Sequence, residues 1–168
     1  VANALAALSA WYALELPMED GIRALERYQG FKGRLHIHSL THTLKLIDDT
    51  YNASPSAVRA AIDTLMTLEG EHVLVLGDMA ELGEDAIAIH QEIGRYALNS
   101  GVDLFLTTGD LMKFASDAFG PDALHFADQT ALVDGLKNVL PTHGVILVKG
   151  SRSAAMEQVV DALLTMEI

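Results

Sequence analysis

The chain has 168 residues, long enough for one ordinary domain or one domain plus a piece of another, and its 11 Lys and Arg against 23 Asp and Glu give a formal charge of -12, which disfavours nucleic acid and anionic membrane surfaces except at a local basic site. Half the residues are hydrophobic, yet no run reaches the ~20 apolar residues of a membrane span and no basic segment with an apolar stretch opens the chain, so it reads as soluble, with no membrane insertion. The absence of cysteine excludes disulfides, thiolate metal sites and thiol nucleophiles, and makes the cytoplasm the simplest compartment.

Val1 to Leu14 is Ala- and Leu-rich without a β-branched cluster, which predicts a buried helix. The helical pattern is already running at Val1 with no N-cap, so the chain is expected to begin inside something larger. Asn3 is the polar exception; spacing alone favours a capping or tertiary hydrogen-bond role over a ligand contact. Pro17 starts a second helix with Glu19 and Asp20 in its first turn, where the helix dipole favours anions, and Ile22, Leu25 and Tyr28 as its apolar stripe. Gln29 to Arg34, with two glycines and two cations, reads as a linker or hinge.

From Leu35 the pattern changes to alternating strands and helices. Leu35 to Leu40 alternates as a strand with His36 and His38 on one face, and Thr41-His42-Thr43 is the turn. With no carboxylate or cysteine at ligand spacing, a solvated hairpin face outweighs a zinc site, and no metal site is assigned. Leu44, Leu46 and Ile47 form a strand ending in Asp48-Asp49, and after Tyr51-Asn52 a helix begins at Pro55, capped by Ser54 and running through Leu65 to about Leu68. His72 to Gly77 is a continuous apolar run, as expected of a strand buried on both faces. A helix follows from about Glu84 to Asn99, closed by Gly101. Leu104 to Gly109 is a strand, with Asp110 as N-cap of a helix to Phe119. His125-Phe126 is a short strand, Asp128 caps a helix to Leu140, Val145 to Gly150 is a strand, and Ser151 caps a terminal helix from Ala154 to Met166. Strands separated by helices of this length imply a parallel sheet with right-handed crossovers. The fold class is α/β: a Rossmann-like three-layer domain with a mostly parallel sheet over residues 35–168, preceded by a helix pair.

In such sheets ligands bind outside the carboxyl ends of the strands. Three strand ends carry unusual polar residues: Asp48-Asp49 with Tyr51-Asn52, Gly77-Asp78 with Glu81, and Lys149-Gly-Ser-Arg152. The last places backbone N–H groups, a hydroxyl and two cations at a helix start, which suits a carboxylate or phosphate. The alternative, that Ser151 merely caps while Lys149 and Arg152 are solvated, stands beside it. For Asp78, hydrogen bonding within its own turn outweighs a ligand role. No G-x-G-x-x-G, G-x-x-x-x-G-K-[ST] or G-x-S-x-G motif is present, so the chain lacks its own phosphate cradle and hydrolase elbow.

Five segments occur in order: Asn3-Ala-Leu-Ala-Ala7, Lys32-Gly-Arg34, Asp48-Asp-Thr-Tyr-Asn-Ala-Ser-Pro55, Val75-Leu-Gly-Asp-Met-Ala-Glu-Leu-Gly83 and Val148-Lys-Gly-Ser-Arg-Ser-Ala-Ala-Met156. Together they resemble the C-terminal third of the Mur ligases, across nearly the whole chain. Asp-Asp-x-Tyr-Asn-Ala and Lys-Gly-Ser-Arg resemble the members that join D-alanyl-D-alanine to UDP-N-acetylmuramoyl-tripeptide. The resemblance implies a cytoplasmic ligase of peptidoglycan synthesis, monomeric when full-length. In that reaction ATP phosphorylates the tripeptide carboxylate and the dipeptide amine attacks the acyl phosphate, with Mg2+ bridging the phosphates.

By the same resemblance, residues 1–34 are the last helices of a truncated central ATP-binding domain and residues 35–168 the C-terminal domain. Asn3 is the asparagine near the adenine, Arg34 the hinge arginine reaching the ATP phosphates and Asp49 the carboxylate for the ribose hydroxyls. Tyr51 and Asn52 line the same nucleotide edge. From electrostatics alone, Lys149, Ser151 and Arg152, with Asp78, are assigned to a substrate carboxylate. Ser54 stands where many members carry asparagine, and serine caps comparably. The family's P-loop, magnesium-binding carboxylate and histidine, and modified lysine would lie upstream of Val1. No catalytic residue is therefore assigned, and this chain alone is expected to be inactive. Other readings are another Mur or folylpolyglutamate-type ligase domain, or a non-catalytic Rossmann-like anion-binding module.

Overall fold

A computed structural model describes residues 2–27 and 31–166. The expectations for Val1, Tyr28, Gln29 and Gly30 lie outside the described residues. The chain divides into two compact units, Val1–Gly30 and Phe31–Ile168.

The first unit holds helices α1 (Ala2–Ala13) and α2 (Met18–Glu26). The Trp11 indole N–H donates to the Pro17 carbonyl (2.9 Å), and Gly21 lets α2 approach the Trp11 ring, since a Cβ there would lie 3.2 Å from it. Arg23 pairs with Asp20 one turn earlier. The Ala/Leu pattern predicts a buried helix, but α1 leaves Leu5 and Tyr12 exposed, Tyr12 by 74%, and Leu14 just past its end is exposed too. Two short helices have too little surface to bury each other's apolar faces.

In the second unit the strands are β1 (His36–Ser39), β2 (Leu44–Asp49), β3 (Glu71–Gly77), β4 (Leu104–Thr108), β5 (Ala123–Phe126) and β6 (Gly144–Lys149). They form one sheet in the order β1-β2-β6-β3-β4-β5. Only β1 runs antiparallel to its neighbour; the β2–β6, β6–β3, β3–β4 and β4–β5 pairs are parallel. The helices are α3 (Pro55–Leu65), α4 (Ala86–Ser100), α5 (Met112–Phe119), α6 (Gln129–Lys137) and α7 (Glu157–Thr165).

Alternation along each strand sorts the core into two layers. Ile47, Leu74, Leu76, Phe105 and Leu147 meet Ile62 and Leu65 of α3, Ile93 of α4 and Phe119 of α5. Leu46, Val73, Val75, Leu106, Ile146 and Val148 meet Leu132 and Leu136 of α6 and Val159, Val160 and Leu163 of α7. This is the three-layer α/β arrangement expected from the sequence. Inserting β6 between β2 and β3 brings the ends of β2, β6 and β3 side by side. The Ser151 N–H donates to the Asp78 carbonyl across that edge (2.9 Å).

Several expected boundaries shift. Asp110 does not cap α5: its N-cap position is Leu111, with no side-chain cap, and the donors of the first turn are taken by Asp78 from another strand end. Ser151 makes no side-chain cap either. A 3-10 turn at Arg152–Ala154 and a left-handed Ala155 (φ 47°) intervene before α7 begins at Glu157. Glycines at the strand ends permit this tight turn, because a Cβ on Gly77 would lie 2.7 Å from the Met156 sulfur and one on Gly150 2.6 Å from its Cγ. His36 and His38 are half-buried rather than on a solvated face, their rings 4.5 Å apart.

Candidate functional site at the carboxyl ends of β2 and β6

The Asp48-Asp49 pair ends β2, and the two carboxylates do different things. Asp48 is fully buried; its Oδ1 accepts from the Thr50 N–H (3.2 Å) and hydroxyl (2.6 Å) and its Oδ2 from the Gly33 N–H (3.0 Å). Asp49 Oδ1 accepts from the Leu35 N–H (3.1 Å), and its Oδ2 pairs with Lys149 Nζ at 2.6 Å. The Tyr51 N–H donates to the Gly33 carbonyl (2.9 Å). Residues 33–35 are thus fastened to the end of β2. This is why the compact units divide before Phe31 and not after Arg34, where the sequence suggests the boundary.

Arg34 is exposed, with its guanidinium 4.1 Å from the centroid of the Tyr51 ring, a stacking geometry that suits a weakly hydrated planar cation. Among the described residues it has no carboxylate partner, which leaves its N–H groups available to an anion. Arg34, Asp49, Tyr51 and Asn52 line one cleft of about 210 Å³ together with Gly33 and Ser54. The four second-unit residues assigned to the nucleotide therefore converge, whereas Asn3 lies in the first unit and is exposed there.

A second cleft of about 610 Å³ shares Asn52 and Ser54 with the first and continues to Glu81, Ser151, Arg152 and Ser153. Arg152 is open to solvent (72% for its side chain) and only loosely paired with Glu157 at 3.3 Å. Ser151 is buried, its hydroxyl 3.1 Å from that of Ser153. The Glu81 loop is held from below by His90 of α4: His90 Nδ1 donates to the Ala86 carbonyl (2.7 Å), so Nε2 accepts from the Met79 N–H (3.1 Å).

Two residues assigned to a substrate carboxylate sit elsewhere. Lys149 is 3% exposed and its ammonium reaches Asp49 Oδ2 and the carbonyls of Asn52 (2.8 Å) and Asp49 (3.4 Å). An ammonium has three N–H donors, and these contacts occupy them, so Lys149 braces the wall of the nucleotide-side cleft and is not free to meet an anionic ligand. Asp78 accepts from the N–H groups of Leu111 (3.2 Å) and Met112 (2.7 Å), neutralising the positive end of α5. It borders a separate cleft with Asp110 and Asp128, where like charges oppose an anionic ligand. Asp48 is recognisable from the sequence as a polar strand end but not as a buried acceptor, although a carboxylate at the end of an apolar strand must find donors if buried; nothing local marks Gly33 or His90 as its counterparts in holding the site.

A further cleft of about 360 Å³, lined by His42, Lys45, Glu69 and His143, lies at the amino ends of β2 and β6, the edge opposite to that where ligands gather in open α/β sheets. Among the described residues no three carboxylates or imidazoles converge to hold a metal ion.

Residues 33–152 match the family model for the Mur ligase, glutamate ligase domain. The chain belongs to the Mur ligase family. It is 43% identical over 166 residues to the UDP-N-acetylmuramoyl-tripeptide--D-alanyl-D-alanine ligase of Escherichia coli K12, covering 97% of this chain and 36% of that protein. The enzyme of the same name from Haemophilus influenzae is 39% identical over 169 residues, with 97% and 36% covered. Among solved structures, a crystal structure of MurF from Acinetobacter baumannii superposes with a TM-score of 0.89 at 32% identity, covering 98% of this chain and 37% of that one. The chain thus spans about a third of the length of the curated Mur ligases it matches. The matched region contains the first cleft and all of the second except Ser153, including Arg34, Asp49, Ser151 and Arg152.

Proposed function

We propose that the full-length protein is an ATP-dependent ligase joining D-alanyl-D-alanine to UDP-N-acetylmuramoyl-tripeptide, and that this chain supplies the domain closing over the nucleotide. The observation that carries the reading is the pair of contiguous clefts sharing Asn52 and Ser54, one presenting Arg34 and the other Arg152. A ligase of this class brings a phosphoryl donor, a carboxylate and an amine to one point, and two cationic walls around a shared polar rim suit that task. The identity to enzymes of that name supports the choice of acceptor.

In this assignment Arg34 meets the ATP phosphates with Tyr51 supporting its plane. Asp49 and Asn52 form the sugar side of the nucleotide edge, with Asp49 held in place by Lys149. Arg152 and Ser151 hold a carboxylate of the dipeptide or the tripeptide; Lys149 and Asp78 act only through the residues they position. The reaction proceeds by phosphoryl transfer from ATP to the tripeptide carboxylate, releasing ADP, and attack of the dipeptide amine on the acyl phosphate, releasing inorganic phosphate. Magnesium belongs to such chemistry by neutralising phosphate charge, and its ligands are assigned mainly to the central ATP-binding domain. Helices α1 and α2, including Asn3 at the adenine, are assigned to the end of a central ATP-binding domain. The full-length protein is assigned as a cytoplasmic monomer, and no helix among the described residues is long and apolar enough to cross a membrane.

The test is phosphate release by the full-length protein with ATP and UDP-N-acetylmuramoyl-tripeptide, offered D-alanyl-D-alanine or single amino acids. Turnover with the dipeptide and none with single amino acids is the expected result; turnover only with a single amino acid overturns the acceptor assignment.

A further inference from the structure

The buried Asp48 carboxylate has an arrangement that the assignment of Arg34 does not by itself require. A buried carboxylate is tolerated only with a full set of donors, and Asp48 draws one of its three from outside its own turn, the N–H of Gly33. The Gly33 carbonyl accepts from Tyr51 and the Leu35 N–H donates to Asp49, so both neighbours of Arg34 are tied to the end of β2. Gly33 and Leu35 are both left-handed (φ 79° and 49°), and a Cβ on Gly33 would lie 3.0 Å from the Tyr51 nitrogen and 3.3 Å from the Thr50 hydroxyl. The backbone here fits one register.

We propose that Asp48 is a positioning residue for nucleotide binding: by holding the Gly33 N–H, its carboxylate fixes the strap over residues 33–35 and seats the Arg34 guanidinium on the Tyr51 ring. This rests on the reading that Arg34 meets the ATP phosphates. A cation on a loose strap loses backbone and rotamer freedom each time a phosphate binds; a strap fastened beforehand has already lost it, so the interaction is retained as affinity.

The experiment measures KM and kcat of the full-length protein for ATP, with tripeptide and dipeptide saturating. Asp48→Asn keeps the side-chain shape but turns one acceptor into a donor facing donors. It is expected to raise the ATP KM roughly tenfold, the loss of about one charge-assisted hydrogen bond, and to leave the dipeptide KM unchanged. Arg34→Met raises the ATP KM at least as much, and Asp48→Asn added to Arg34→Met raises it no further, because both act through one guanidinium. A folded Asp48→Asn protein with the wild-type ATP KM, or an effect that adds fully to that of Arg34→Met, overturns the proposal. An Arg34→Met protein with unchanged ATP KM overturns the phosphate reading of Arg34 itself, a distinct result. If Asp48→Asn does not fold, Gly33→Ala breaks the same register from the other partner and decides by the same pair of measurements.

Discussion

Residues separated by the whole length of the domain set the local electrostatics of the site. Lys149 and Asp49 stand 100 residues apart and meet because β2 and β6 are parallel neighbours with these two residues in register. Both are largely buried, so the pair is weak evidence for net stability, but either charge without the other would be a costly orphan. On β1, beside β2 and opposite Leu46, His38 is the imidazole whose protonation the fold opposes. Its pKa lies below the usual 6.5, first because burial desolvates the cation and next because His36 adds like charge, with Asp48 opposing and Lys32 assisting. Above 6.5 the ring is neutral folded and unfolded alike. As pH falls through 6.5 the unfolded chain takes up a proton that the folded chain resists, so stability is lost toward acid. His38→Gln is expected to lose less stability than the wild type between about pH 7.5 and about pH 5.5 in urea denaturation; parallel losses in the two proteins would count against the burial argument.

At the level of elements, the strand ends and helix starts are joined in ways that sequence proximity hides. Asp78, ending the β3 turn, supplies to α5 the anion that Asp110 was expected to supply, and Gly109 (φ 109°) admits it, since a Cβ there would lie 2.4 Å from the carboxylate. Asp78→Ala is expected to destabilise the domain by about 1–2 kcal/mol, the combined loss of a cap and a dipole contact, and to speed hydrogen exchange in the first turn of α5 while α6 keeps its protection. Unchanged stability and exchange would show that the contact contributes nothing. The periodic parts of the chain were legible: β3 and β6 as unbroken apolar runs, α3 from Ser54-Pro55, α6 from Asp128, whose carboxylate does accept from the Ala131 N–H. The convergence of Arg34, Tyr51 and Asn52 was legible too, through the motif that carries them. Partners chosen by the sheet order were not. Nothing local to Asp78 points to Leu111, nothing near Lys149 points to Asp49, and the left-handed Ala155 that delays α7 lies between Ala154 and Met156, which pack against Gly77 and Gly150.

Over the whole chain, burial is distributed unequally between the two compact units. Phe31–Ile168 has apolar layers on both faces of a six-stranded sheet, enough for an independent cooperative unit. In Val1–Gly30 the described residues include one buried position, Gly21, and most of the apolar surface of α1 is open; helices of 12 and 9 residues are marginal in water without tertiary packing. Removing residues 1–30 is therefore expected to leave the urea midpoint of the remaining unit within error of the longer chain, with its denaturant slope slightly reduced at most. In the longer chain, amides of α1 and α2 are expected to exchange through local opening of little free-energy cost, while those of β2, β3 and β6 exchange only with global unfolding. The two measurements separate the alternatives. A shortened chain that loses several kcal/mol would make the helix pair part of the cooperative core, and α1 amides as protected as those of β6 would say the same by a different route.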